Sequence, residues 1–184
     1  MTSLIILDRD GVINFDSPDY IKSPEEWQPI PGSLEAIAKL NKAGFTVAVA
    51  TNQSGVGRGF YTLATLELIH QKMHAALATL NGHIDMISSC MHHPDDHCEC
   101  RKPKPGLMYE IARHFNIDLH QTQVLAIGDS LRDLTAAKTV GCQPILVLTG
   151  NGQKTLSALP ADLAKILIYN DLAHAVNAII SQTP

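Results

Sequence analysis

The sequence predicts an α/β fold in which a parallel sheet is covered by helices on both faces. Three observations carry that prediction. Short aliphatic runs alternate with amphipathic helical stretches along the chain. The runs are compact and apolar, as in strands buried on both sides. Apolar residues also make up 45 % of the 184, enough to build a sizeable core.

Leu4–Leu7 is the first such run, and it stops at Asp8. Pro31-Gly32-Ser33 opens a helix that places Leu34, Ile37 and Leu40 on one face and ends at Gly44. Thr46–Ala50 reads as the second strand. Thr62 is positioned to N-cap a helix with the inner stripe Leu63, Leu66, Ile69, Met73, Leu77 and Leu80, closing at Gly82. Met86–Cys90 is a shorter strand, and Leu107, Ile111 and Phe115 mark the next helix. Val124–Ile127 is a strand that stops at Gly128-Asp129, with a helix over Leu131–Val140 after it. Ile145–Leu148 and Ile166–Tyr169 are further strands, and Asp171–Ser181 forms a closing helix. No internal repeat or low-complexity segment interrupts this order, and residues 1–184 read as one domain.

Charge narrows the function. Charged residues are 17 % of the chain against a usual ~25 %, and the net charge is −4. No basic field exists to hold a nucleic-acid backbone or an anionic membrane, so neither partner is expected. An anionic small molecule would need local cations or a bound metal. No apolar run reaches the ~18 residues of a membrane span. The N-terminus lacks a basic region followed by a long apolar stretch, so the reading predicts a cytoplasmic protein, and a monomer.

Ligands of parallel sheets bind beyond the carboxyl ends of the strands, so the residues where apolar runs stop carry the chemistry. Three stops stand out: Asp8-Arg9-Asp10-Gly11, Thr51-Asn52-Gln53-Ser54, and Gly128-Asp129-Ser130 with Asp133. Asp8 and Asp10 repel one another unless a cation neutralises them or one keeps a proton. That pair suits a Mg²⁺ site with one carboxylate as nucleophile and the other as general acid/base, although a turn would also use Asp and Gly. Thr51-Asn52 can offer a hydroxyl and a backbone N–H to a phosphoryl oxygen, or serve merely as a cap. Arg101-Lys102-Pro103-Lys104-Pro105 concentrates cations, and its prolines predict an extended segment.

Cys90, His92, Cys98 and Cys100 follow the pattern Cys-x-His-x5-Cys-x-Cys, with His93 and His97 as further imidazoles in the loop. Three thiolates and one imidazole make the closed tetrahedral set of a structural Zn²⁺, a staple with no open position. Surface histidines and free thiols are the plainer alternative. Cys142 stands apart and reads as a small buried hydrophobe.

Taken in order, these motifs resemble those of the haloacid-dehalogenase-like phosphatases, over roughly residues 4 to 150. The resemblance implies their Rossmann-like fold. It makes Asp8 the nucleophile that forms an aspartyl-phosphate, and Asp10 the general acid/base. Thr51 and Lys102 would stabilise the phosphoryl group. Asp8, the main-chain carbonyl of Asp10 and Asp129 would hold Mg²⁺. The zinc pattern followed by Arg101-Lys102-Pro103, together with Thr51–Gly59, is similar to the branch of that family acting on D-glycero-D-manno-heptose 1,7-bisphosphate. That likeness implies removal of the 7-phosphate, in the biosynthesis of activated heptose for lipopolysaccharide or other surface glycans. It implies substrate contacts at Asp16, Ser17, Pro18, Asp19, Asn52, Gln53, Ser54 and Arg101. Histidinol phosphate is the alternative substrate, because its phosphatases share the nucleophile pair and the zinc loop. A non-catalytic zinc-loop binding module is the alternative of another kind, disfavoured by the charge balance. Forty residues separate Asp10 from Thr51 and forty-nine separate Asn52 from Lys102, leaving no room for a large cap domain.

Overall fold

The computed structural model describes residues 4–120 and 122–182. Six parallel strands form one sheet: β1 (Leu4–Leu7), β2 (Thr46–Asn52), β3 (Met86–Cys90), β4 (Leu125–Gly128), β5 (Gln143–Val147) and β6 (Leu167–Tyr169). Their order is β3-β2-β1-β4-β5-β6. The chain thus lays down β2 and β3 outward from β1 in one direction, then crosses back to place β4 on its other side. The crevice between β1 and β4 is the switch point of the fold, where open α/β sheets bind ligands.

Alternation along the strands builds two cores. Ile5 and Leu7 face one way with Val47, Val49, Ile127 and Val147, under α1 (Ser33–Lys42), α3 (Leu63–Ala78) and α7 (Leu172–Ser181). Leu4 and Ile6 face the other way with Ala48, Ala50 and Ala126, under α4 (Gly106–His114) and α5 (Leu131–Thr139). Two short helices complete the set, α2 (Ser54–Gly57) and α6 (Gly152–Ser157). Among the described residues no helix is long and apolar enough to cross a membrane.

Strand and helix boundaries lie within two residues of those the sequence predicts, with two differences that follow from geometry. The stripe of α3 is shorter than its leucines suggest: Leu66, Ile69, Met73 and Leu77 are buried, whereas Leu63 and Leu80 are 46 % and 37 % exposed. Leu63 is the first residue of the helix and Leu80 lies two residues beyond its end. The Arg101–Pro105 segment is bent rather than extended, with a turn at the cis Lys102–Pro103 bond and bends on either side of it. Thr62 caps α3 as expected, its hydroxyl accepting from the Thr65 N–H at 3.1 Å. Cys142 is buried.

Candidate active site and metal centres

The carboxyl ends of β1, β2 and β4 converge on a cavity of about 190 Å³. Of the residues given catalytic, Mg²⁺-binding or substrate roles in the sequence, Asp8, Asp10, Asp16, Ser17, Asn52, Gln53, Ser54, Arg101, Lys102 and Asp129 line it. Three do not. Thr51 is buried beneath the floor, where its hydroxyl accepts from the Gln53 amide at 2.9 Å. Pro18 and Asp19 are exposed on the loop after β1, and Asp19 borders a separate outer cleft. Two positions displaced this pair: Tyr20, which leans edge-on against Phe60, and Ile21.

Asp8 sits at the first residue beyond β1, and one ammonium is offered to it and to Asp133 together. Lys102 is almost fully buried; its Nζ lies 3.0 Å from Asp8 Oδ1 and 2.6 Å from Asp133 Oδ1, and donates to the Ala50 carbonyl at 2.7 Å. Asp133 wins this competition. Burial acts to raise its pKa, but Lys102 and the Ser130 donors outweigh burial and hold it below the usual carboxylate range. Asp8 lies well above that range, through burial first and then the charge of Asp133, with Lys102 only partly offsetting them. Lys102 stays charged, because the two carboxylates outweigh its burial.

Asp129 follows β4 and is pushed up to about 6, chiefly by burial. Its Oδ2 accepts from the Asn151 main-chain N–H at 2.7 Å and side-chain amide at 3.2 Å. Gly11 and Gly150 close around the same oxygen: a Cβ on either would lie 2.1 or 2.2 Å from it. Both have positive φ, +81° and +55°, so glycine is required twice over.

The oxygens of Asp8, Asp129 and Asp133 lie within 4.8 Å of one another. Three buried carboxylates against one ammonium fit a hard cation taken by oxygen ligands. Asp133 has both oxygens engaged, one by Lys102 and the other by the Ser130 N–H at 3.0 Å, so it orients neighbours instead of facing the cavity. Asp8 and Asp129 do face it.

Beside this site the Cys/His loop folds into a second cluster. Cys90 Sγ lies 3.6 Å from Cys98 Sγ, Cys98 lies 3.5 Å from Cys100, and His92 Nδ1 is 3.7 and 3.2 Å from Cys90 and Cys100. A tetrahedral Zn²⁺ with bonds of about 2.3 Å to sulfur and 2.0 Å to nitrogen has ligand edges of about 3.6–3.8 Å. The donor set therefore fits zinc. Burial and the neighbouring thiols push Cys100 up to about 12, a cost that a divalent cation removes. Of the loop histidines it is His92 whose Nδ1 lies among the thiols, whereas His93 Nδ1 accepts from the Asp95 N–H at 3.2 Å. Lys104 ties the loop down through the His97 carbonyl and Glu99.

The cluster feeds directly into the first site. Two residues beyond Cys100, the Lys102 backbone is clamped by Asn52, whose amide exchanges two 3.0 Å hydrogen bonds with the Lys102 N–H and C=O. The predicted substrate residue Asn52 is thus also a strut. Arg101 keeps one buried guanidinium nitrogen without an acceptor at the cavity wall.

Asn151 and Arg132 line the cavity without having been singled out, and so does Ser130, which stood in the Gly128-Asp129-Ser130 stop but was given no role. Asn151 follows β5, so the rule applied to the other strand ends would have found it. Ser130 and Arg132 flank the first turn of α5 beside Asp129, where cavity-facing residues are to be sought.

Residues 99–175 match the HAD-hydrolase-like family model. A D-glycero-beta-D-manno-heptose-1,7-bisphosphate 7-phosphatase from Pseudomonas aeruginosa is 52 % identical over 179 residues, covering 97 % of this chain and 98 % of that protein. The chain belongs to the haloacid-dehalogenase-like phosphatases. An enzyme of the same name from Bordetella bronchiseptica is 58 % identical over 154 residues, 84 % of this chain and 85 % of its own. The crystal structure of the D,D-heptose 1.7-bisphosphate phosphatase from B. bronchiseptica, complexed with magnesium and phosphate, superposes on this phosphatase with a TM-score of 0.94. It is 52 % identical in sequence, and the match covers 99 % of this chain and 100 % of that one.

Proposed function

We propose that this phosphatase removes the 7-phosphate of D-glycero-D-manno-heptose 1,7-bisphosphate. The observation that carries the chemistry is the unequal sharing of Lys102, which leaves Asp8 as the carboxylate at the switch point still in need of positive charge. The substrate is supported by the name shared by relatives at 52 % and 58 % identity, which favours it over histidinol phosphate. The cavity agrees: Arg101 and Arg132 border it above an acidic floor, as a substrate with a second phosphate requires. Residues 1–184 act in this reading as one catalytic domain, a monomer in the cytoplasm.

In the first half-reaction an oxygen of Asp8 attacks phosphorus. The new bond forms as the bond to the sugar oxygen breaks, leaving an aspartyl-phosphate. Asp10 donates a proton to the departing oxygen. In the second half Asp10 takes a proton from water as that water attacks phosphorus, which releases phosphate and restores Asp8. Lys102, 3.0 Å from Asp8, places its charge against the transferred group, and Asp133 keeps that ammonium in place. Thr51 contributes from beneath the floor through Gln53. Asp8, the Asp10 carbonyl and Asp129 would hold Mg²⁺, which supplies charge against the phosphoryl oxygens. Cys90, His92, Cys98 and Cys100 would hold Zn²⁺ in a closed set that fixes the loop leading to Arg101 and Lys102.

Phosphate release across both anomers of the heptose bisphosphate, fructose 1,6-bisphosphate and histidinol phosphate tests the assignment. The heptose bisphosphate is expected to give the highest kcat/KM, with the β anomer named by the relatives as the first candidate. A higher value for histidinol phosphate overturns the substrate.

A further inference from the structure

Asp10 is held quite differently from Asp8. Its carboxylate accepts from four nitrogens: Arg9 Nε at 2.9 Å, Arg9 Nη2 at 3.1 Å, Asn14 Nδ2 at 2.8 Å and Gln53 Nε2 at 2.8 Å. These donors, two on each oxygen, hold its rotation. Gln53 is the critical member, because an amide can be turned round. Its amide nitrogen also donates to Thr51 Oγ1, and its carbonyl oxygen accepts from the Tyr61 hydroxyl at 2.8 Å. With the amide reversed, the carbonyl oxygen would face the Asp10 carboxylate and the amide nitrogen the Tyr61 hydroxyl. The Asp10 carboxylate, which only accepts, opposes that reversal. The Tyr61 hydroxyl is buried and pushed up to about 12 by burial, so it keeps its proton and donates to the carbonyl oxygen in the orientation seen. On the opposite side, Arg9 is fully buried and its remaining Nη1 meets His70 Nε2 at 3.3 Å. Burial and the Arg9 charge hold His70 at about 4, so the ring is neutral and can accept.

We propose that Gln53, oriented by the Tyr61 hydroxyl, is a positioning residue that aims the Asp10 carboxyl at the leaving oxygen. Its role is then in the chemical step rather than in gripping the sugar. This inference rests on the reading of Asp10 as general acid/base. It predicts a signature that simple loosening of the site lacks. An alkyl phosphate needs its leaving oxygen protonated, whereas 4-nitrophenyl phosphate expels a stable anion and needs little help.

The test compares wild type, Gln53→Leu, Tyr61→Phe and the double variant in the Mg²⁺-loaded enzyme, on the heptose bisphosphate and on 4-nitrophenyl phosphate. Gln53→Leu is expected to lower kcat/KM for the sugar about tenfold through kcat, and for the aryl ester less than about threefold. Tyr61→Phe shows the same pattern at about threefold, and the double variant is no worse than Gln53→Leu alone. A raised KM with unchanged kcat for Gln53→Leu returns that residue to sugar binding. Equal losses on the two substrates, or losses that multiply in the double variant, also overturn the proposal. Failure of the wild type on both phosphate esters refutes the phosphatase reading itself, an outcome distinct from any of these.

Discussion

Two ligand clusters lie side by side in this molecule, and they solve the problem of crowded negative charge in opposite ways. The carboxylates hang from rigid strand ends and face a cavity, with one ammonium between Asp8 and Asp133. The thiol cluster is formed mainly by a loop, with its four donors closing on one another at tetrahedral edge lengths. The first arrangement leaves open positions for a substrate, and the second leaves none. In the function proposed above, chemistry belongs to the open cluster and stapling to the closed one. Lys102 joins them, since it lies two residues beyond Cys100 yet ends against Asp8.

Of the changes that test this contrast, removing that junction should have the largest effect. Lys102→Ala is expected to lower kcat by on the order of 10²–10³, with a smaller change in KM. Steady-state kinetics check this, and an unchanged kcat moves phosphoryl stabilisation elsewhere. Opening the closed cluster should do less. Protein purified without chelator should carry about one zinc per chain, and Cys100→Ser should lose it. We expect the variant to melt about 5–10 °C lower and to lose about tenfold in activity as Arg101 and Lys102 lose their anchor. Full activity and an unchanged Tm in a zinc-free variant would separate the two clusters.

The smallest effect is a pH dependence confined to the open cluster. Burial raises Asp129 to about 6 in the folded chain, so its ionised form is disfavoured by folding. Its contribution to stability is full below the ordinary carboxylate pKa and is lost as pH rises through about 6. Metal-free protein should therefore lose some thermal stability between about pH 4 and pH 6 from this group. Added Mg²⁺ should raise Tm more at about pH 7.5 than at about pH 5. Scanning calorimetry reads both, and a Mg²⁺ increment independent of pH contradicts the assignment of Asp129.

The parts of this picture that local rules govern were legible in the sequence. Apolar runs ending at Asp8, Asn52 and Asp129 located the site because parallel strands deliver their ends to one edge. The spacing of Cys90, His92, Cys98 and Cys100 located the thiol and imidazole cluster because ligand geometry constrains spacing. What was hidden depends on loop paths. Nothing in Asp16–Asp19 says that Pro18 and Asp19 turn outward while Tyr20 turns in. Nothing local says that Asp133, rather than Asp8, takes the closer grip on Lys102. Gln53 was expected to bind sugar, and its cavity position agrees, yet its hydrogen bonds run to Asp10, Thr51 and Tyr61. Amide orientation is decided by neighbours eight and forty-three residues away.

The central claim is that Asp8 is the nucleophile, and Asp8→Asn tests it most directly because it removes the attacking charge with almost no change in shape. Phosphate release from the heptose bisphosphate by zinc- and Mg²⁺-loaded variant and wild type is the measurement. The account predicts a loss of about 10³-fold or more in the variant. Hydrolysis at the wild-type rate would contradict it.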